Sequence, residues 1–195
     1  MAGEPIRINL PAAESVLRGL RSGDEVLITG TIVTARDMAH KLMVEEKPEF
    51  LKPILEGALI YHCGPIMVRE GDGWRIVSAG PTTSNREEPY QANVIETYRI
   101  GGVIGKGGMG EKTSAALKQF GAVYFHAVGG AGTLLAKCVT RVREVWKLEE
   151  FGVPEAFWVL EVKDFPAVVT MDTTGDSLHR KVLEASQERL KALLQ

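Results

Sequence analysis

The chain has 195 residues, 45% of them hydrophobic and 25% charged, with a formal net charge of -2. That length buries a sizeable core and fits one domain over 1–195 better than two. The charge balance lacks the basic surplus of a nucleic-acid binder. No apolar run approaches a membrane span, and the polar start Met1-Ala2-Gly3-Glu4-Pro5 does not read as a secretory signal, so a cytoplasmic location is expected.

Ile6 to Leu10 alternates as a first strand, and Ala12 to Leu20 reads as a short helix ended by Ser22-Gly23. Glu25 to Thr34 is β-branched and apolar, as a central strand requires. A helix follows from Arg36 to about Glu46, and Pro48 and Pro53 break what comes next. Ala58 to Tyr61 is a strand. Ile66 to Arg69 and Trp74 to Ser78 flank Gly71-Asp72-Gly73, a hairpin signal. Gly80 to Arg86 is a loop, and Pro89 to Tyr98 a helix. Val103-Ile104 is a short strand, Glu111 to Phe120 a helix closed by Gly121, and Ala122 to His126 a strand. Gly129 to Gly132 opens a helix over Thr133 to Cys138. Phe157 to Val162 and Ala167 to Met171 are two strands around Asp164-Phe165-Pro166, and an amphipathic helix starts at Ser177. Strands and helices mix without a strict βαβ repeat. The expected class is a layered α/β domain with a mixed sheet.

Three loops carry candidate chemistry. Gly80-Pro81-Thr82-Thr83-Ser84-Asn85-Arg86 offers three hydroxyls and a guanidinium, a set that grips carboxylates because arginine binds them through two parallel hydrogen bonds. The competing reading is a Ser/Thr-rich helix cap. Ile104-Gly105-Lys106-Gly107-Gly108-Met109-Gly110 lets backbone N–H groups approach an anion, with the following helix adding its positive end. It is no phosphate loop: Glu111 stands where that motif needs lysine, and Lys106 precedes the turn. The alternative is a plain tight turn. The third loop, His126 to Gly132, is either an anion nest or close strand–helix packing. His126 at a strand end could titrate near neutral pH, although a lone histidine, like His40, is more often structural. Arg36, where a buried strand turns into a helix, completes a set of three cations with Arg86 and Lys106 that a dicarboxylate would satisfy. Cys63 and Cys138 are the only cysteines, expected free and buried. Two thiols cannot ligate an iron–sulfur cluster by themselves.

These loops, in order, resemble one family: the β subunit, or C-terminal domain, of class I fumarases and L-tartrate dehydratases. The likeness runs through Thr34-Ala35-Arg36-Asp37-Met38-Ala39-His40, Gly80 to Arg86, Ile104 to Met109 and His126 to Gly130. It continues through Glu155-Ala156-Phe157-Trp158 and Asp164-Phe165-Pro166 to Asp172 and Gly175-Asp176-Ser177-Leu178. The resemblance implies a swivelling β/β/α fold and reversible loss of water from a 2-hydroxy dicarboxylate, malate to fumarate. It implies a [4Fe–4S] cluster carried by a partner α subunit, and higher oligomers of αβ units. By motif position, Arg36, Arg86 and Lys106 would bind carboxylates. Thr82 would sit at the reacting carbon as a proton-transfer group, with Thr83 beside it and Lys106 also counted as catalytic. Glu87-Glu88 departs from the family, which often has methionine after the arginine. Two acids there are expected to weaken the clamp's field. Gly175-Asp176-Ser177 replaces a more usual Gly-Asn-Ser. Three readings follow: a fumarase β subunit, a tartrate dehydratase β subunit, or a non-enzymatic small-anion binding or regulatory protein of the same fold.

Overall fold

The computed structural model describes residues 4–194; Met1–Gly3, part of the polar start read above, and Gln195 lie outside them. Five strands run parallel: β1 (Ile6–Asn9), β2 (Glu25–Thr34), β3 (Leu59–Tyr61), β6 (Gly102–Gly105) and β7 (Val123–His126). Two more join them antiparallel, β8 (Val139–Trp146) and β9 (Phe157–Met171), giving the order β1-β2-β3-β6-β7-β9-β8. β9 also pairs with β2, so β2, β3, β6, β7 and β9 close into a ring. A separate hairpin joins β4 (Ile66–Glu70) to β5 (Gly73–Ser78). The expected mixed-sheet α/β class is what the chain forms.

The two-residue period of the strands divides the core. Leu59 and Tyr61 of β3, Ile104 of β6, and Val123 and Phe125 of β7 face one cluster with Trp158, Leu160 and Phe165 of β9. The residues between them, Ile60, Val103 and Tyr124, face a second cluster. Helices α2 (Asp37–Glu45), α4 (Glu88–Tyr98) and α5 (Glu111–Phe120) cover that side through Met43, Val94, Ile95 and Leu117. The hairpin covers the first cluster with Met67 and Ile76, and Trp74 meets Trp158 edge-on with ring centroids 5.1 Å apart.

Several elements differ from expectation. The first helix, α1, is shorter (Glu14–Gly19). Pro53 breaks nothing. It sits in the first turn of a short helix, α3 (Lys52–Leu55), where its missing N–H would have no partner in any case. The helix after the third loop, α6, is Gly132–Ala136, and a further short helix, α7, spans Leu148–Phe151. The last helix, α8 (Leu178–Leu193), starts as expected at Ser177, whose Oγ accepts from the Arg180 N–H at 3.3 Å. Both cysteines are free, but only Cys63 is buried and Cys138 is half-exposed.

β8 was not foreseen. Two bulges interrupt its pairing with β9, between Val139 and Arg141 and between Val142 and Glu144. Each bulge inserts a residue, so Val139, Val142 and Val145 face inward three apart and the alternation signal is lost. The two strands expected around Asp164-Phe165-Pro166 are one continuous strand, β9. Asp164 takes a left-handed φ of 50°, its N–H donates to Thr29 Oγ1 at 3.1 Å, and the chain returns to register with Pro166 opposite Leu27. The opposing irregularity in β2 falls at Gly30, with φ 127°. A Cβ there would lie 2.8 Å from both Leu10 Cβ and the Leu10 carbonyl oxygen. Gly30→Ala meets strained backbone and a hard contact together, and should cost about 2 kcal/mol or more, read from the urea unfolding midpoint.

Candidate functional site

Parallel strands deliver their carboxyl ends to one edge. Arg36 follows β2 and begins α2; His62 follows β3, Lys106 follows β6, and His126 ends β7. The loop Gly80 to Arg86 is spliced into this edge. Cys63 and Pro81 form an isolated antiparallel bridge, and Thr83 and Lys106 a parallel one. The Thr82 N–H donates to the His62 carbonyl at 2.7 Å, the His62 N–H to the Ile104 carbonyl at 2.8 Å, and the Ser84 N–H to the Lys106 carbonyl at 3.0 Å. Tyr124, from β7, donates its hydroxyl to Ser84 Oγ at 2.8 Å. The competing helix-cap reading fails here. Residues 84–87 form a single 3-10 turn before α4, and no loop hydroxyl caps either element.

The candidate cations fall into two groups on this edge. Arg36 and Arg86 meet through Asp37. Arg86 places its fork on that carboxylate, Nε at 3.2 Å from Oδ1 and Nη2 at 2.6 Å from Oδ2. Arg36 lies 3.8 Å from Asp37 and 3.3 Å from Glu155, and its buried Nε makes no hydrogen bond. Gly64 makes room for it, since a Cβ there would lie 2.6 Å from Arg36 Nη1. Lys106 stands apart beside the third loop, its Nζ 4.0 Å from where a Gly129 Cβ would be. Thr82 is tied by its N–H to the His62 carbonyl, and Thr83 pairs with Lys106. In the third loop, the Gly132 carbonyl accepts from the Ala79 N–H at 2.9 Å, so that end serves close strand–helix packing.

Of the two acids expected to weaken the clamp's field, only Glu88 turns away from it. Glu88 turns to the amino end of α5: Oε2 accepts from the Gly110 N–H at 2.8 Å and from the Thr113 hydroxyl at 2.7 Å, and Oε1 from the Thr113 N–H at 3.2 Å. Its charge is spent on the positive end of that helix, the end that the sequence reading assigned to an outside anion. Glu87 is fully buried, with neither carboxylate oxygen hydrogen-bonded. Burial, reinforced by Asp37 and Glu155 and opposed by Arg86 and Arg36, pushes its pKa up to about 7.

Behind the clamp lies a sealed polar set. Nε2 of His40 and Nε2 of His62 lie 3.0 and 2.9 Å from the same Gln91 oxygen, and Nδ1 of His40 lies 2.9 Å from the Arg36 carbonyl oxygen. Burial lowers the pKa of both imidazoles, and both ring nitrogens of His40 are engaged within the fold. His126 is half-buried and also pulled down by burial, away from the neutral titration expected of it. Its ring lies 5.7 Å from that of His179, which contacts Thr170 Oγ1 at 2.9 Å.

Asp37 and Glu155 stood in the motifs without an assigned role, Glu87 was noted only as an acid beside Arg86, and His62, Gln91 and His179 were missed. Only Asp37 had a signal, its place next to Arg36; Glu155 reaches the clamp from the far end of the chain. Replacing Glu88 by alanine should cost about 1–2 kcal/mol, because it removes the cap from α5. A shifted urea midpoint with an unchanged slope would check this.

The family model for the fumarase C-terminus matches residues 2–182. The chain is 48% identical over 187 residues to a Geobacillus stearothermophilus protein provisionally named a class I fumarate hydratase, covering 95% of this chain and 35% of that one. The chain thus spans about a third of that relative. It is 41% identical over 181 residues to a Methanocaldococcus jannaschii protein provisionally named an L(+)-tartrate dehydratase β subunit, covering 91% of this chain and 93% of that one. It is 40% identical over 176 residues to the L(+)-tartrate dehydratase β subunit of Escherichia coli, covering 88% and 85%. No helix among the described residues is long and apolar enough to cross a membrane. With the match spanning nearly the whole chain and carrying all three loops of the edge, this chain belongs to the fumarase C-terminus family.

Proposed function

We propose that this chain is the β subunit of a two-subunit iron–sulfur hydro-lyase that reversibly removes water from a 2-hydroxy dicarboxylate, malate to fumarate. It acts as one domain, in higher oligomers of αβ units. The observation that carries the reading is the splicing of the Gly80 to Arg86 loop onto the ends of β3 and β6, at the edge where Arg36 and Lys106 stand.

Arg36 and Arg86 would hold a carboxylate by forked hydrogen bonds, and Lys106 the second as a point charge. Asp37 would share the Arg86 fork with the incoming group, having ordered it beforehand. Thr82, with Thr83 beside it, would face the reacting carbon. Thr82 is half-buried at this edge, and a cation beside its hydroxyl would favour the ionised form.

The [4Fe–4S] cluster is assigned to the partner α subunit. The thiols described here do not fit one. Cys63 is sealed, with burial pushing its pKa up to about 12, and Cys138, on a different element, is also raised by burial. L-tartrate is the second reading of the substrate. It is favoured by the near end-to-end match to two proteins named tartrate dehydratase β subunits.

The test is anaerobic co-purification with an α subunit, cluster reconstitution, and assays on malate, fumarate and tartrate. Activity confined to the reconstituted complex is expected, and its preferred substrate decides between the readings. Full activity from this chain alone, free of iron, overturns the split site. A complex inert on all three substrates leaves the anion-binding reading of the fold. Lys106→Ala should lower kcat/KM about 100-fold or more while the complex still assembles; an unchanged rate removes Lys106 from the site.

A further inference from the structure

Glu87 is the one carboxylate at the clamp with no role in it. It follows Arg86 in the 3-10 turn, its side chain is inaccessible to solvent, and neither oxygen has a hydrogen-bond partner. An ionised carboxylate in that position forgoes solvation and gains no hydrogen bond in return; only the charges of Arg86 and Arg36 offset the loss. The groups that face it come from every element packed there. Arg36 lies at the start of α2, Asp37 and His40 on α2, Arg86 in its own turn, and Glu155 in the turn before β9. His40 Nδ1 is the nearest at 3.5 Å from Oε2, but that nitrogen is also 2.9 Å from the Arg36 carbonyl oxygen. Burial lowers the pKa of both His40 and His62, which favours their neutral forms.

The charge count at the clamp is therefore set by one group. Arg36 and Arg86 are matched by Asp37 and Glu155, with which they already pair. Glu87 ionised leaves two guanidinium groups facing three carboxylates before any ligand arrives. Glu87 protonated restores neutrality.

We propose that Glu87 is a positioning residue that sets the charge of the carboxylate clamp, so that a dianionic ligand binds together with a proton held at Glu87. This rests on the dicarboxylate reading of the site. The direction of the linkage follows from the geometry. The ligand carboxylate held by Arg36 and Arg86 adds negative charge beside Glu87 and raises its proton affinity further, so protons are taken up on binding and affinity falls as pH rises. A free-state value near 7, raised by about one unit in the complex, weakens binding about fivefold between pH 6.5 and 8.5.

The experiment measures succinate, an unreactive dicarboxylate, binding to the purified αβ complex by calorimetry across that pH range, in buffers of different ionisation enthalpy. The unaltered complex should take up a fraction of a proton near pH 7.5 and lose about fivefold in affinity between pH 6.5 and 8.5. Glu87→Gln mimics the protonated form. It should bind at pH 8.5 about as tightly as the unaltered complex at pH 6.5, with a flat profile and no proton uptake. If Glu87→Gln keeps the slope, or the unaltered complex binds succinate without proton uptake, the role of Glu87 is overturned while the clamp stands. The second of these needs no variant to fold. If the complex binds no succinate at any pH, the clamp reading fails and this inference with it.

Discussion

The edge that carries the candidate site depends on the backbone hydrogen bonds that turn a loop into an extension of the sheet. Thr82 binds the end of β3 through His62, and Ser84 binds the end of β6 through Lys106. A free seven-residue loop would lose about 1–2 kcal/mol of conformational entropy per residue on being ordered around a ligand. Here that cost is met on folding, by bonds that also satisfy the loop's own polar backbone. The ring closed by β9 holds the strand ends in fixed relation, so groups that arrive from distant parts of the chain keep their spacing.

The arginines at this edge are not bare cations. Asp37 takes the Arg86 fork, and Glu155 flanks Arg36. Such pairing orders long side chains before a ligand arrives, and it tempers the field that a ligand meets. The two acids after Arg86 show how placement decides the effect of a charge. Glu88 stands at the amino end of α5 and is compensated by three hydrogen bonds there. Glu87, one residue earlier, is turned inward and compensated by none. Adjacent residues of the same type thus differ in kind: one caps a helix, and the other holds charge that burial disfavours.

Legibility in the sequence followed the regularity of the local signal. β2 was read to its exact ends because β-branched and apolar residues fill it on both sides of Gly30, and α5 likewise, bounded by Gly110 and by Gly121 with a left-handed φ of 72°. β8 was invisible because its bulges changed the period that reveals a strand, and β9 was split in two because Asp164-Phe165-Pro166 carries the composition of a turn. At the candidate site, Thr82, Thr83, Arg86 and Lys106 stood out as polar residues in glycine-bearing loops, and Arg36, less obviously, as a cation where a strand turns into a helix. His62, Gln91 and Glu155 did not, since each is defined by a partner far off in the chain.

The sequence by itself determined the α/β class, the order of most elements, the family and the three loops, because each of these is written in residues close together along the chain. Only the tertiary structure decided that the sheet closes through β9, that Arg36 and Arg86 share Asp37, that Glu88 occupies the helix end offered to an outside anion, and that Glu87 is buried unpaired. The reason is physical. Propensity and periodicity act over a few bonds, whereas charge compensation and desolvation depend on distances through space, which exist only once the strands have brought their ends together.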